Sequence, residues 1–325
     1  MKSKSSLTNV FLLVLFLSQF VYAQENNQWK TLSCTGEPVA RHEATFLGIN
    51  DHFYLLGGRR IQPVSIYDVE SNTWSQGAKP PIELHHFQGF SYDGDVYVAG
   101  AFTGEFPYEK PVKDIYKYDV ETDAWSIAFG MPEGRERGAG GSVIFKDKLY
   151  VVGGLINGHW DGHVTWFDVY DFATKQWSEL PDIPRYRDHF NAVIVNDKMY
   201  LVAGRISSGK TEEFFELTEN KIDVFDFRTA EWTTLETTLP TGRAGNAAIA
   251  IDDELIIAGG ESSAQVKAHN EVEALNVLTG EWTDYPSLIN GRHGTQLIYY
   301  KGSLYIASGC GNRGGNPELT SLEKY

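Results

Sequence analysis

The sequence predicts an all-β fold assembled from one unit repeated six times, and three marks recurring in fixed register predict it. The first mark is tryptophan. Trp29, Trp74, Trp125, Trp177, Trp232 and Trp282 are spaced by 45, 51, 52, 55 and 50 residues, and a period of this length signals a radial or solenoid architecture. The last five each lie six positions after a polar residue (Asp68, Asp119, Asp171, Asp226, Asn276), itself preceded by Tyr67, Tyr118, Tyr170, Phe225 or Leu275. The second mark is an apolar, β-rich run ending in small residues: Phe53–Gly58, Val96–Gly100, Leu149–Gly154, Met199–Gly204, Leu255–Gly260 and Leu304–Gly309. Unbroken runs of this kind suit strands buried on both faces. The third is an arginine 16 residues before the first small residue: Arg41, Arg137, Arg187, Arg243 and Arg292, with Leu84 at that place in unit two.

Along the chain, each unit reads as an apolar strand, a polar turn such as Asn50-Asp51, Asp93-Gly94 or Asn196-Asp197, the glycine-ended strand, and a Tyr-Asp-x5-Trp hairpin. This order resembles the kelch repeat over essentially the whole chain after residue 23. The resemblance implies blades of four antiparallel strands in a β-propeller, running from the central channel outward with the tryptophan on the outermost strand. The last unit has Arg292 and Gly309 but stops at Tyr325, which aligns with Tyr67 and Tyr170. Its missing tryptophan strand stands at the other end of the chain, around Trp29. The expectation is therefore a six-bladed kelch β-propeller closed by the N-terminal strand, which completes the last blade and hides two strand edges.

Ahead of the repeats, Lys2 and Lys4 precede an apolar run from Val10 to Val21 and a small-residue site at Val21-Tyr22-Ala23. This is the pattern of a secretory signal peptide, residues 1–23, leaving one domain over 24–325. A secreted or periplasmic location and no membrane span are expected. Without the leader, 26 basic residues face 43 acidic ones, and so acidic a surface repels phosphate backbones and argues against nucleic acid. Cys34 and Cys310 are both placed in the closing blade, on connections leaving one face, and are expected to form a disulfide there. Gly204–Thr211 spells a P-loop and Gly309–Gly314 a dinucleotide fingerprint. Both follow strands that open no helix, so neither is read as a phosphate site.

Departures from the repeat carry the functional signal. Eight of the nine histidines fall on one face: His42, His85, His86, His189 and His293 near the inner-strand start, and His159, His163 and His269 in loops after the second strand. Only His52 falls on the other side. The same loops bring Trp160, Asp161, Phe214, Phe215, Glu261, Asn312 and Arg313. Rings beside arginine, histidine and carboxylates suit a carbohydrate, and a histidine beside an acid suits general acid–base work. The candidate catalytic residues are His85, His189 and His293 with Asp188 and Glu261. The candidate ligand contacts are Arg41, Arg187 and Arg292 as a carboxylate clamp, with His86, Trp160, His163 and Arg313. No pair of histidines is read as a strong metal motif, and the adjacent rings of His85 and His86 are expected on opposite faces of a strand. No metal and no other cofactor are therefore expected.

At the level of architecture the chain also resembles two kelch-type groups, the periplasmic sialic-acid mutarotases of bacteria and the galactose oxidase propeller. The first resemblance implies a secreted, monomeric propeller that binds a small, anionic sugar and acts as a mutarotase, epimerase or lyase. The intracellular kelch scaffolds imply instead a non-catalytic protein- or glycan-binding module. The galactose oxidase propeller implies a metal-dependent oxidase, although here both cysteines are assigned to the disulfide.

Overall fold

Each inner hairpin turns on residues that tolerate a left-handed backbone. These are Asn50 (φ 53°), Asp93 with Gly94 (51° and 83°), Lys146 with Asp147 (48° and 56°), Asn196 (54°), Asp252 (51°) and Lys301 with Gly302 (47° and 80°). Turns of this hand match the twist of the strands they join. In the computed structural model, which describes residues 28–325, the hairpins extend into six four-stranded antiparallel sheets. The predicted signal peptide, residues 1–23, lies outside the described residues.

Blade one comprises Ala44–Ile49, His52–Gly57, Ser65–Asp68 and Thr73–Gln76, and blade two Phe90–Tyr92, Asp95–Val98, Asp114–Asp119 and Ala124–Gly130. Blade three comprises Gly141–Phe145, Lys148–Val152, Phe167–Asp171 and Gln176–Glu179, and blade four Asn191–Val195, Lys198–Val202, Lys221–Asp226 and Glu231–Thr238. Blade five is Ala247–Ile251, Glu254–Ala258, Val272–Asn276 and Trp282–Tyr285. Blade six takes Leu297–Tyr300, Ser303–Ala307 and Leu322–Lys324 from the C-terminus and Lys30–Thr31 from the N-terminus. Lys30 pairs with Lys324 and Thr31 with Glu323, so the ring closes as the repeat register predicts. Among the described residues there is no helix, which removes the structural context both phosphate-loop motifs require.

The three marks of the repeat become three kinds of bond. The polar residue before each tryptophan caps the outer hairpin: Asp68 accepts from the Ser71 amide at 2.9 Å, and Asn276 from those of Leu278 and Thr279 at 3.0 Å. The tryptophan links blades. The indoles of Trp125, Trp177 and Trp232 donate to the carbonyls of Ala78 (3.3 Å), Gly130 (3.0 Å) and Pro181 (2.9 Å) on the preceding blade. Trp29 reaches Pro286 of blade five in the same way, at 2.9 Å. The arginine spans its own blade: Arg41, Arg137, Arg187 and Arg292 donate to the carbonyls 16 residues on, of Gly57, Gly153, Ala203 and Ser308, at 2.9–3.1 Å.

This role corrects the expectation that Arg41, Arg187 and Arg292 clamp a ligand. All three are at most 1 % exposed. Arg187 is further bonded to Asp223 at 2.5 Å, Arg292 to Glu323, and Arg41 to the Pro63 carbonyl at 2.7 Å. The disulfide is corrected too, since both thiols are free. Cys34 packs at the outer rim against the cluster of Tyr67 and Trp74, next to Thr35, which pairs with Thr73. Cys310 is buried at the mouth, paired through its backbone with His293. Cys34 thus lies beside the outer hairpin turn of blade one and Cys310 at the channel mouth, so the two thiols do not meet.

Apolar side chains fill the wedges between blades. Tyr54, Leu56 and Val64 of blade one meet Val96, Val98, Tyr116 and Tyr118 of blade two, and Phe46, Phe53 and Leu55 meet Ile298 and Tyr305 across the closure. At the mouth of the channel the backbone forms a hydrogen-bonded ring. His86 N donates to Glu43 O (3.1 Å), Ala139 to His86 (2.7 Å), His189 to Ala139 (2.9 Å), Gly245 to His189 (2.7 Å) and Gly294 to Gly245 (2.7 Å), and Ala44 N closes on Gly294 O (3.1 Å). Glu43, His86, Ala139, His189, Gly245 and Gly294 each lie two residues past the repeat arginine or Leu84, and all have positive φ, from 51° to 68°.

Candidate functional site

The ring puts six side-chain positions around the channel axis, and Gly294, Gly245 and Ala139 leave half of them nearly empty. Glu43, His86 and His189 fill the other half despite a backbone that L-residues rarely adopt. Strain kept at a ring position in this way marks a functional site. Above the ring opens a cavity of about 600 Å³, within the range of small-molecule sites. Its floor and wall include Glu43, His86, His159, Arg205, Glu261 and His293. Phe106, Phe214 and Phe215 from the long loops of blades two and four form an apolar side.

Two clusters meet at the floor. In the first, a ring nitrogen of each of His86, His159 and His189 lies within 4.8 Å of the other two. His159 Nδ1 faces Glu109 at 3.0 Å, His189 Nδ1 faces Asp188, and the two Nε2 atoms are 3.1 Å apart. His86 Nδ1 faces His85 Nδ1 at 2.5 Å, and His85 Nε2 lies 3.2 Å from the Gly104 carbonyl. In the second, His293 stands between Glu43 (3.4 Å from Nδ1) and Glu261 (3.4 Å from Nε2). Its Nε2 also donates to the carbonyls of Gly314 (2.8 Å) and Asn312 (3.0 Å).

Burial and neighbours set the charges. Burial lowers the His293 pKa, but Glu261 and Glu43 outweigh it and hold the imidazolium well above its ordinary value. Burial would raise Glu43, yet His293 and neighbouring histidines keep its carboxyl well below the usual range. Glu261 is likewise held down, against burial, by His293 and Arg205. Burial pushes His85 down to about 4, with the charge of Arg59 adding to it, and pushes His86 and His159 down as well.

The sequence-predicted residues divide accordingly. His86, Glu261 and His293 line the cavity, and His189 lines the channel directly beneath it. His85 is fully buried behind His86, and Asp188 behind His189, where it also accepts from His163 (2.8 Å) and from Ser207 N and Oγ (both 2.8 Å). Both therefore hold other side chains in place. His163 is turned to Asp188, Trp160 packs tilted against Tyr108 with ring centres 5.3 Å apart, and Arg313 bonds the Ser263 carbonyl at 3.1 Å. The expectation that the rings of His85 and His86 diverge is corrected, because the left-handed backbone at His86 (φ 55°) folds one ring onto the other.

Glu43, His159, Glu109 and Arg205 were not among the sequence candidates. Glu43 stands two residues after Arg41, and Arg205 and Glu261 directly after the glycine pair position. Reading those two register positions blade by blade would have found Glu43 and Arg205, whereas Glu109 and His159 lie in loops outside the repeat register. The arginines that do line the cavity, Arg59, Arg60 and Arg205, are not those of the expected clamp. Among the described residues every arginine lining the cavity has a carboxylate partner: Arg59 with Glu109 (2.7 Å), Arg60 with Glu318 (2.5 Å) and Arg205 with Glu261 (2.5 Å).

Comparison with known proteins places this geometry in a family. Kelch-like protein terF of Aspergillus terreus is 29% identical over 303 residues, covering 87% of this chain and 64% of that protein. Human Kelch-like protein 23 is 22% identical over 276 residues, 84% of this chain and 46% of its own length. The chain thus spans less than two thirds of either relative. The solved structure titled "Structure of YjhT" superposes with a TM-score of 0.73 at 20% identity, covering 89% of this chain and 96% of that one, a likeness of fold. The family profile of the Attractin/LZTR1 β-propeller matches residues 14–268. With six four-stranded blades and the kelch marks in register, the chain belongs to this kelch-type β-propeller family.

Proposed function

We propose that the mouth cavity binds a small, hydroxylated ring compound of sugar size, uncharged overall, and moves a proton on it. The observation that carries this reading is the concavity itself: buried, ionised and imidazole groups open into a cavity of about 600 Å³ with one phenylalanine-lined wall. Phe106, Phe214 and Phe215 suit the apolar face of a ring, while Glu43, Glu261 and Arg205 suit its hydroxyls. Glu43 and Glu261 are the proton acceptors, and the His293 imidazolium between them holds the charge balance. Mutarotation, epimerisation and elimination all need such a set. Because the cavity's arginines are already paired, neutral sugars are preferred over uronates and sialic acid.

Calorimetric titration of neutral and acidic monosaccharides tests this. Binding by a neutral sugar that is weakened at least about tenfold in Phe215→Ala, the loss of roughly 1.4 kcal/mol, is the expected result. No heat with any member of the panel sinks the reading. Export and removal of residues 1–23 belong to the same proposal, and N-terminal sequencing of the secreted protein is expected to begin at Gln24.

A second reading is a docking face for a protein partner. It is favoured by exposed Phe106, Tyr108, Tyr186 and Val266, each at least half exposed on loops of the mouth side. If a partner docks there, Tyr108→Ala and Val266→Asp weaken its capture while sugar binding is unaffected.

A further inference from the structure

Hydrogen-bond donors and acceptors determine the tautomer of each histidine in the first cluster. Glu109 accepts from Arg59 Nη2 at 2.7 Å and from the His159 amide at 3.1 Å, so its partner His159 Nδ1 also donates. Asp188 accepts from Ser207 N and Ser207 Oγ, so His189 Nδ1 donates to it. His85 Nε2 donates to the Gly104 carbonyl, which leaves the lone pair on His85 Nδ1 and makes His86 Nδ1 the donor to it. A neutral imidazole with its proton on Nδ1 carries a lone pair on Nε2. The lone pairs of His159 and His189 therefore lie on their facing Nε2 atoms and that of His86 on its own Nε2, and a ring nitrogen of each of the three lies within 4.8 Å of the other two.

Two of those lone pairs, on His159 and His189, face each other at 3.1 Å. Bare, that contact is repulsive, and a single added proton satisfies only one pair among three nitrogens. A cation satisfies all three. The geometry has the size one needs: two metal–nitrogen bonds of about 2.0–2.1 Å at a tetrahedral angle place their nitrogens about 3.3 Å apart. The ring centres form a nearly equilateral triangle with sides of 4.8, 4.9 and 4.8 Å. Two of the three Nδ1 atoms are backed by a carboxylate, the support that metal-bound histidines usually have. His86 is backed by His85 in the same way.

We propose that Nε2 of His86, His159 and His189 binds one divalent first-row transition-metal ion at the floor of the mouth cavity. An all-imidazole set selects such an ion over magnesium or calcium, which take oxygen. Glu43 Oε2, 3.6 Å from His86 Nε2, stands beside the position left for a water or ligand oxygen. His85, Glu109 and Asp188 are positioning residues. The second cluster, Glu43, Glu261 and His293, is not a metal site, because His293 Nε2 donates to the carbonyls of Asn312 and Gly314 and its Nδ1 faces the Glu43 carboxylate at 3.4 Å. The inference deepens the mouth-cavity reading, since a Lewis acid there polarises a hydroxyl or carbonyl oxygen of the bound ring.

The test uses the full chain, purified without a histidine tag, stripped with a chelator, and titrated with Zn²⁺ and with Co²⁺. One equivalent of either ion, with visible ligand-field bands for Co²⁺, is expected. His159→Ala, in a loop outside the backbone ring, abolishes this uptake. Glu109→Gln and Asp188→Asn lower the affinity about 10- to 100-fold. His52→Ala, on the opposite face, leaves it unchanged. Circular dichroism and urea midpoints confirm that each variant is folded, and Glu109→Gln serves if His159→Ala is not. No uptake by the stripped wild type, or equal affinity in His159→Ala and wild type, overturns the proposal. Sugar titration of the stripped protein separates the two readings: binding there without metal uptake keeps the cavity and removes the ion, and metal uptake without sugar binding does the reverse.

Discussion

Two residues past the repeat arginine, or past Leu84 in blade two, the backbone is left-handed, and side-chain choice there separates architecture from chemistry. Gly245 and Gly294 adopt this backbone freely and Ala139 adds only a methyl group, whereas Glu43, His86 and His189 hold large polar side chains on the channel axis. The neighbouring position holds His293, a buried imidazolium faced by Glu43, Glu261 and the carbonyls of Asn312 and Gly314, with the His42 ring 6.0 Å away and Arg205 on the far side of Glu261. Its folded pKa is raised, so its stabilisation is complete below the unfolded value of about 6.5 and erodes as pH rises from there through the folded value. Glu43 and Glu261 are depressed, so their share is complete above about 4.5 and is lost on further acidification. Urea unfolding between about pH 7 and 9 should show wild-type stability falling with a slope that His293→Gln lacks; parallel profiles would refute the assignment. Arg292→Ala should destabilise by about 3–5 kcal/mol in the same assay, because it leaves Glu323 buried and uncompensated.

At the scale of a strand, the repeat marks convert into bonds that join one element to the next. Trp29 packs with Tyr325, ring centres 5.6 Å apart, and bonds the Pro286 carbonyl, so the N-terminal strand holds blades five and six together. Trp29→Ala should cost about 3–5 kcal/mol and broaden thermal unfolding; a change below about 1 kcal/mol would show that the short N-terminal strand does not seal the ring. Gly259 ends the second strand of blade five with φ 64°, and an added methyl group would overlap the Arg292 carbonyl oxygen. Gly259→Ala should therefore destabilise by about 1–3 kcal/mol, read from the urea midpoint. The arginine-to-glycine spacing was legible as a pattern because it is itself a hydrogen bond across the blade. The divergent rings expected of His85 and His86 were not legible, because alternation holds only along extended backbone and His86 is left-handed.

For the whole molecule, closure depends on strand pairing between the termini and on the wedges between blades, with no covalent lock. Alkylation of the unfolded, unreduced protein should label both Cys34 and Cys310, and a reductant should leave the melting temperature unchanged; one unlabelled pair would reverse that correction. The sequence by itself determined blade number, strand order, the seam and the histidine-rich face, because each is written in residues repeated at a near-constant period. Only the tertiary structure decided which of those residues meet. His86, His159 and His189 come from three successive blades, with 73 residues from the first to the second and 30 from the second to the third, so no linear motif records them. Their convergence is a product of ring closure, which brings the register position of His86 and His189 to a common axis and folds the blade-three loop that carries His159 over it.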